Sequence, residues 1–108
     1  NPFIKNFNHY LNILTKFSEW IDEKNKTDKD DVSAAANDYL RTLGYLSIAY
    51  AWLKVLEVSF KDYNENKNFY DEKINTAKFY FDKVLPRAEQ HYKTAISGSS
   101  NIMNFNFN

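Results

Sequence analysis

One hundred and eight residues, 44% of them hydrophobic, are enough for one domain with a single core. Fourteen basic residues balance fourteen acidic ones, so nothing in the total charge argues for nucleic acid or an anionic membrane surface as partner. The absence of cysteine excludes disulfides, thiolate nucleophiles and thiolate metal sites, and it suits a reducing, cytoplasmic setting.

The chain opens on Asn1-Pro2-Phe3, without the basic start and short apolar run of a signal peptide, and is expected to be a piece of a longer protein. Two glycines and two prolines leave few breaks, and apolar residues recur every three or four positions. The expected fold is all-α: an antiparallel bundle of three long helices over residues 1–98, the third kinked or broken near Pro86, followed by a tail over 99–108.

The first helix is expected to start with Asn1 as N-cap and Pro2 at the first helical position, where a missing N–H costs nothing, and to run to about Ile21. Phe3, Phe7, Leu11, Leu14, Phe17 and Ile21 form its apolar stripe, with Tyr10 and Trp20 at the edges. Asp22 to Asp31 contains no apolar residue and reads as a solvated loop, with Asp30 or Asp31 opening the next helix.

The second helix is expected to last to about Tyr63. Between Leu43 and Phe60 apolar side chains occupy most of its circumference. Only Ser47, Lys54 and Lys61, flanked by Gly44 and Glu57, make a polar line. A surface helix in a bundle needs an apolar arc of roughly 100°, so this helix demands cover on several sides. Lys54 and Glu57 interrupt the run short of about 20 unbroken apolar residues, which argues against a membrane span. Gly44, Tyr45, Ile48, Trp52 and Val55 are the candidate interface residues, with Gly44 suited to close helix approach. Leu53, Leu56 and Phe81 are expected to fill the core.

The third helix is expected to begin with Asn68 as N-cap. Tyr70, Ile74, Ala77, Phe81, Val84, Ala88, Tyr92 and Ala95 carry its stripe past Pro86, whose missing N–H predicts a kink between Asp82 and Pro86. Gly98 is expected to end the helix in a left-handed conformation, and Ile102, Met103, Phe105 and Phe107 make the tail apolar enough to dock.

Chemistry-bearing patterns are sparse. His9 and His91 are the only histidines, and no glutamate has a histidine three residues on, as a helical di-metal site would require. Arg87 and His91, one turn apart, could together meet an anion, but a solvated face beside Glu89 accounts for them better. The carboxylate pairs Asp22-Glu23 and Asp30-Asp31 read as helix-end charges, and Gly44 and Gly98 are too far apart for a phosphate loop. Phe79-Tyr80-Phe81 fits core packing better than base stacking, because basic and acidic residues alternate around it. No catalytic, cofactor-binding or metal-binding residue is assigned.

Tyr39-Leu40-Arg41-Thr42-Leu43-Gly44-Tyr45, then Ala49-Tyr50-Ala51-Trp52-Leu53, then Ala77 through Pro86 (Ala-Lys-Phe-Tyr-Phe-Asp-Lys-Val-Leu-Pro), together resemble the C-terminal helical accessory domain on one branch of acyl-CoA dehydrogenases. Ser18-Glu19-Trp20-Ile21 is similar to the end of that domain's first helix. The resemblance covers about Leu11 to Met103, while the asparagine-rich tail and the charged first loop depart from it. It implies a parent enzyme that binds FAD and an acyl-CoA thioester, abstracts the α-proton with a glutamate and passes the β-hydride to the flavin. Those parts belong to the preceding domains of such enzymes, so the segment itself is expected to be structural. Its implied partners are the upstream dehydrogenase domains and a second subunit. The alternative is a free-standing helical module that binds a protein or a hydrophobic ligand.

Overall fold

The computed structural model describes residues 1–106, with side chains described for residues 1–97. Asn1 caps the first helix as its chemistry requires: its Oδ1 accepts from the Phe3 N–H at 2.8 Å, and Pro2 occupies the first helical position. Helix α1 spans Pro2–Asn25, α2 spans Lys29–Lys61, α3 spans Lys67–Phe79 and α4 spans Arg87–Asn106. Among the described residues there is no strand. A single turn of 3₁₀ helix, Tyr63–Glu65, joins α2 to α3, and a π-helical turn, Tyr80–Val84, joins α3 to α4. α3 and α4 are therefore one long helix, bent, and the architecture is the expected three-helix bundle.

Pro86 sets the bend. It has no N–H to offer one turn back and its ring crowds the preceding turn, so the chain widens there: the Leu85 N–H reaches the Tyr80 carbonyl at 2.8 Å, five residues back. Downstream, Ala88 and Glu89 donate to Leu85 and Pro86 at 2.9 and 3.2 Å, tightening the chain again before α4.

The core lies where the three arms meet. Tyr10 and Ile13 of α1, Leu46, Ala49 and Leu56 of α2, and Ala77, Tyr80, Phe81, Leu85 and Ala88 of the bent helix are buried together. Phe17 is fully buried and its ring meets Tyr39 at 5.2 Å and Tyr92 at 5.3 Å, tying all three arms at one level. Leu56 and Phe81 lie in the core as expected, and Leu53 packs against it. The stripe expected on α1 is inward at Phe17, which is buried, and at Phe3, Phe7 and Leu14, which pack on the core, but Tyr10 and Ile13 are buried beside them and Leu11 points outward. The reason is the third arm, which packs on the Tyr10 side and shifts the centre of the buried arc away from the Leu11 edge.

The first loop is much shorter than the composition suggests. Only Lys26 to Asp28 lies outside helix, and Asp28, not Asp30 or Asp31, is the N-cap, its side chain accepting from the Asp31 N–H at 3.1 Å. Once packed turns have nucleated a helix, further turns propagate without burial. Here Lys24 sits favourably at the negative end of α1 and meets Asp31 at 3.7 Å, so the charged stretch stays helical. Likewise Asn66, not Asn68, caps α3, accepting from the Phe69 N–H at 3.3 Å. The stop expected at Gly98 is absent, because α4 continues through it to Asn106. One glycine costs a helix only about 1 kcal/mol relative to alanine, too little to end it. The apolar side chains of Ile102, Met103, Phe105 and Phe107, expected to dock, lie outside the described residues.

Candidate docking surface

Polar contacts between helices fix the rotation of α2. The Thr42 hydroxyl, fully buried, donates to the Asp38 carbonyl at 2.9 Å and approaches the Ala88 carbonyl of α4 at 3.4 Å. The Tyr80 hydroxyl donates to the Tyr45 carbonyl at 2.6 Å, and burial, with Tyr45 nearby, pushes that phenol up to about 12. On the other flank the Ser18 and Tyr39 hydroxyls meet at 2.7 Å. Among the described residues no buried side-chain polar atom lacks a partner. These bonds hold one face of α2 inward and leave the opposite face turned to solvent.

That outer face is apolar. Leu40 is 63% exposed, Ile48 51% and Val58 49%, and Leu43 and Ala51 are exposed with them. In the most apolar stretch of α2 only 22% of residues are buried, although its length and composition would suffice to cross a bilayer. Ser47, Lys54 and Lys61, seven residues apart, are polar positions on the same face. An exposed strip of this kind is what a buried helix shows when one of its covering surfaces is missing.

The five candidate interface residues divide in two. Gly44 and Ile48 sit on the open face, and a Cβ at Gly44 would meet nothing within 4 Å among the described residues, so none of these makes use of its small size. Tyr45, Trp52 and Val55 are half-buried, and the first two pack against the core. Tyr45 also stacks on His91, with ring centroids 5.9 Å apart. Leu40 and Val58 were not among the candidates. Their positions relative to Ile48 share its helix face, a signal that the nearly uniform hydrophobicity of α2 conceals.

The residues with chemical potential do not converge. His91 turns inward, its Nδ1 lying 2.8 Å from Asp38 Oδ1, while Arg87 is exposed, so the two do not form an anion site. Glu89 is held by Lys93 at 3.5 Å and approaches His9 at 3.8 Å. Tyr80 and Phe81 are buried, and Phe79 alone of that aromatic triplet is exposed. Among the described residues no group of three His, Asp or Glu side chains could hold a metal ion. The N-termini of α1, α2 and α3 are already capped by Asn1, Asp28 and Asn66, leaving no glycine-rich, phosphate-accepting helix start there.

Comparison with known proteins gives one finding. The family model described as acetyl-CoA dehydrogenase C-terminal like matches residues 1–106. Neither a curated protein nor a solved structure matches the chain.

Proposed function

The chain belongs to the acetyl-CoA dehydrogenase C-terminal-like family, and from that premise we propose that it is the structural accessory domain of an FAD-dependent acyl-CoA dehydrogenase, packing through α2 on the dehydrogenase body or on a second subunit. The observation that carries this reading is the uncovered apolar face of α2 at Leu40, Ile48 and Val58. Removing apolar surface from water is worth about 25 cal/mol per Å², so a strip running several turns is a large surplus for a domain that stands alone. Its inner face is committed to the bundle through Leu46, Ala49 and Leu56, which favours docking over bilayer insertion: a span would strip those side chains from their core.

On this reading the flavin and the acyl-CoA thioester are bound by the rest of the enzyme, and α-proton abstraction and hydride transfer take place there. The three-arm core, the Thr42 and Tyr80 hydrogen bonds and the bend at Pro86 keep α2 in one orientation, so that its outer face is presented as a rigid, preformed surface. The test is the intact mass and visible spectrum of the protein as its native gene expresses it. A chain several times heavier than this one, carrying flavin absorption, supports the reading. A colourless product of this length refutes it and leaves the free-standing binding module.

A further inference from the structure

The open face of α2 has an order that its apolar content alone does not disclose. Steps of three and four residues, taken alternately from Asp30 to Lys61, meet an exposed residue at every position, and Leu40, Gly44, Ser47, Ala51 and Val58 lie on that line. This is the seven-residue period of a coiled-coil seam. Ala36, Leu43 and Ile48, which flank the line, are exposed as well, so no described part of the bundle overhangs its middle. The opposite side of the helix carries Ala35, Thr42, Ala49 and Leu56, seven apart in their turn and buried in the bundle. α2 therefore has two seams of one period, one filled by its own chain and one uncovered.

We infer that the uncovered seam pairs antiparallel with the same seam of a second copy of this chain, about a two-fold axis passing between Gly44 and Ser47. The inference rests on the accessory-domain reading and names what covers the face. Charge selects this occupant. Along the seam the N-terminal half of α2 holds a carboxylate, Asp30, and no cation, while the C-terminal half holds Lys54 and Lys61 and no carboxylate. Lys54 turns aside over the Tyr50 ring, 5.3 Å from its centroid, which leaves the two ends to set the register. Among the described residues neither Asp30 nor Lys61 joins an ion pair. An antiparallel copy brings Asp30 against Lys61 at both ends, whereas a parallel copy sets like charge against like. A two-fold contact requires this reciprocity, in which each residue meets the counterpart of its own partner. Size agrees with charge. The same register opposes Gly44 to Ser47 and Leu40 to Ala51, so the centre is small and each leucine meets an alanine. Helix axes can then approach to the near end of the usual range of roughly 8 to 10 Å, and the open space over Gly44 is what that approach needs.

Zero-length carbodiimide cross-linking of the full-length protein, read by mass spectrometry, tests this directly, since an isopeptide bond forms only between an ammonium and a carboxylate already in contact. Asp30 and Lys61 stand roughly 46 Å apart along one helix at the usual rise per residue, so a bond between them joins two copies. That bond is the expected main product at Lys61. Lys61→Asp should abolish it, and Asp30→Lys combined with Lys61→Asp should restore it with its ends exchanged. Leu40→Asp, within the seam but remote from both ends, should also abolish it with helical content retained, because Leu40 is 63% exposed. Links from Lys61 to carboxylates of the dehydrogenase body overturn the inference and leave the accessory-domain reading standing. Links confined to Glu57 of the same helix, no link at Lys61, or an Asp30–Lys61 bond that survives Leu40→Asp overturn it as well. Failure of the accessory-domain reading looks different: it is a colourless product of this length, whether or not that product forms the bond.

Discussion

The His91 imidazole and the Asp38 carboxylate, 53 residues apart in sequence, meet at 2.8 Å across the seam between α2 and α4. A carboxylate only accepts, so Nδ1–H donates, and the stacked Tyr45 ring holds the imidazole in place. Each side chain is about a quarter exposed, 26% for His91 and 24% for Asp38. The bond is therefore partly shielded from water and worth more than a surface pair. Asp38→Ala should destabilise the protein by about 1 to 2 kcal/mol. Glu89→Ala, which removes a 3.8 Å approach to a His9 that is 57% exposed, should cost under about 0.5 kcal/mol. Urea denaturation of the two variants measures the difference.

Tyr80 makes stability depend on alkaline pH. A tyrosine in the unfolded chain ionises near 10, whereas burial holds the folded Tyr80 up to about 12. Below pH 10 both states keep the proton and the stabilisation is fully present. Between 10 and 12 the unfolded chain loses its proton first, so stability falls as pH rises, by an amount on the order of 2 kcal/mol. Tyr80→Phe should flatten this fall, while lowering stability at neutral pH by about 1 kcal/mol through loss of the bond to the Tyr45 carbonyl. Denaturation midpoints across that pH window, compared between the two proteins, measure both effects.

Phe17 joins the three arms at one level and has no exposed surface. Phe17→Ala should cost about 3 to 5 kcal/mol, a large part of the roughly 5 to 15 kcal/mol that holds a domain of this size together. Leu11→Ala, one helical face away and 43% exposed, should cost far less. Thermal unfolding followed by circular dichroism separates the two, and equal costs would mean that Leu11 is packed as tightly as Phe17.

Gly44 lies in the interior of α2 with open space where a Cβ would project. Gly44→Ala should stabilise the helix by about 0.5 to 1 kcal/mol, because alanine loses less backbone freedom on folding. If the docked surface approaches the α2 backbone at this point, the same methyl group should weaken assembly. Opposite signs in thermal stability and in association would identify Gly44 as a contact point, whereas a gain in stability with unaltered association would place the contact elsewhere on α2.

The helix period, the Asn1-Pro2 start and the break at Pro86 were legible because each has a local cause within a few residues: an apolar spacing, a capping side chain, a missing N–H. The short charged loop was not, since whether Asp22 to Lys24 stays helical depends on turns already packed elsewhere and on the Lys24–Asp31 pair across the loop. The same holds for the candidate face. That α2 carries more apolar surface than two neighbours can cover is visible in its sequence. Which side is left over is decided by Thr42 reaching Ala88 and by Tyr80 reaching Tyr45, contacts between residues 46 and 35 positions apart. For that reason Trp52 and Tyr45, the bulkiest candidates, turned out to lean on the core, while Leu40 and Val58 hold the open face.

The central claim, that the outer face of α2 is covered in the complete enzyme, is tested most directly by placing a charge there without touching the core. Ile48 is the position for it, being half exposed and absent from the buried cluster. The measurement is the sedimentation and flavin content of the full-length protein carrying Ile48→Asp, beside the same substitution's effect on helical content. The account expects unchanged helicity with weakened assembly, because a carboxylate would be buried against an apolar surface. Unchanged helicity with unchanged assembly would contradict it and leave α2 facing water in the working protein.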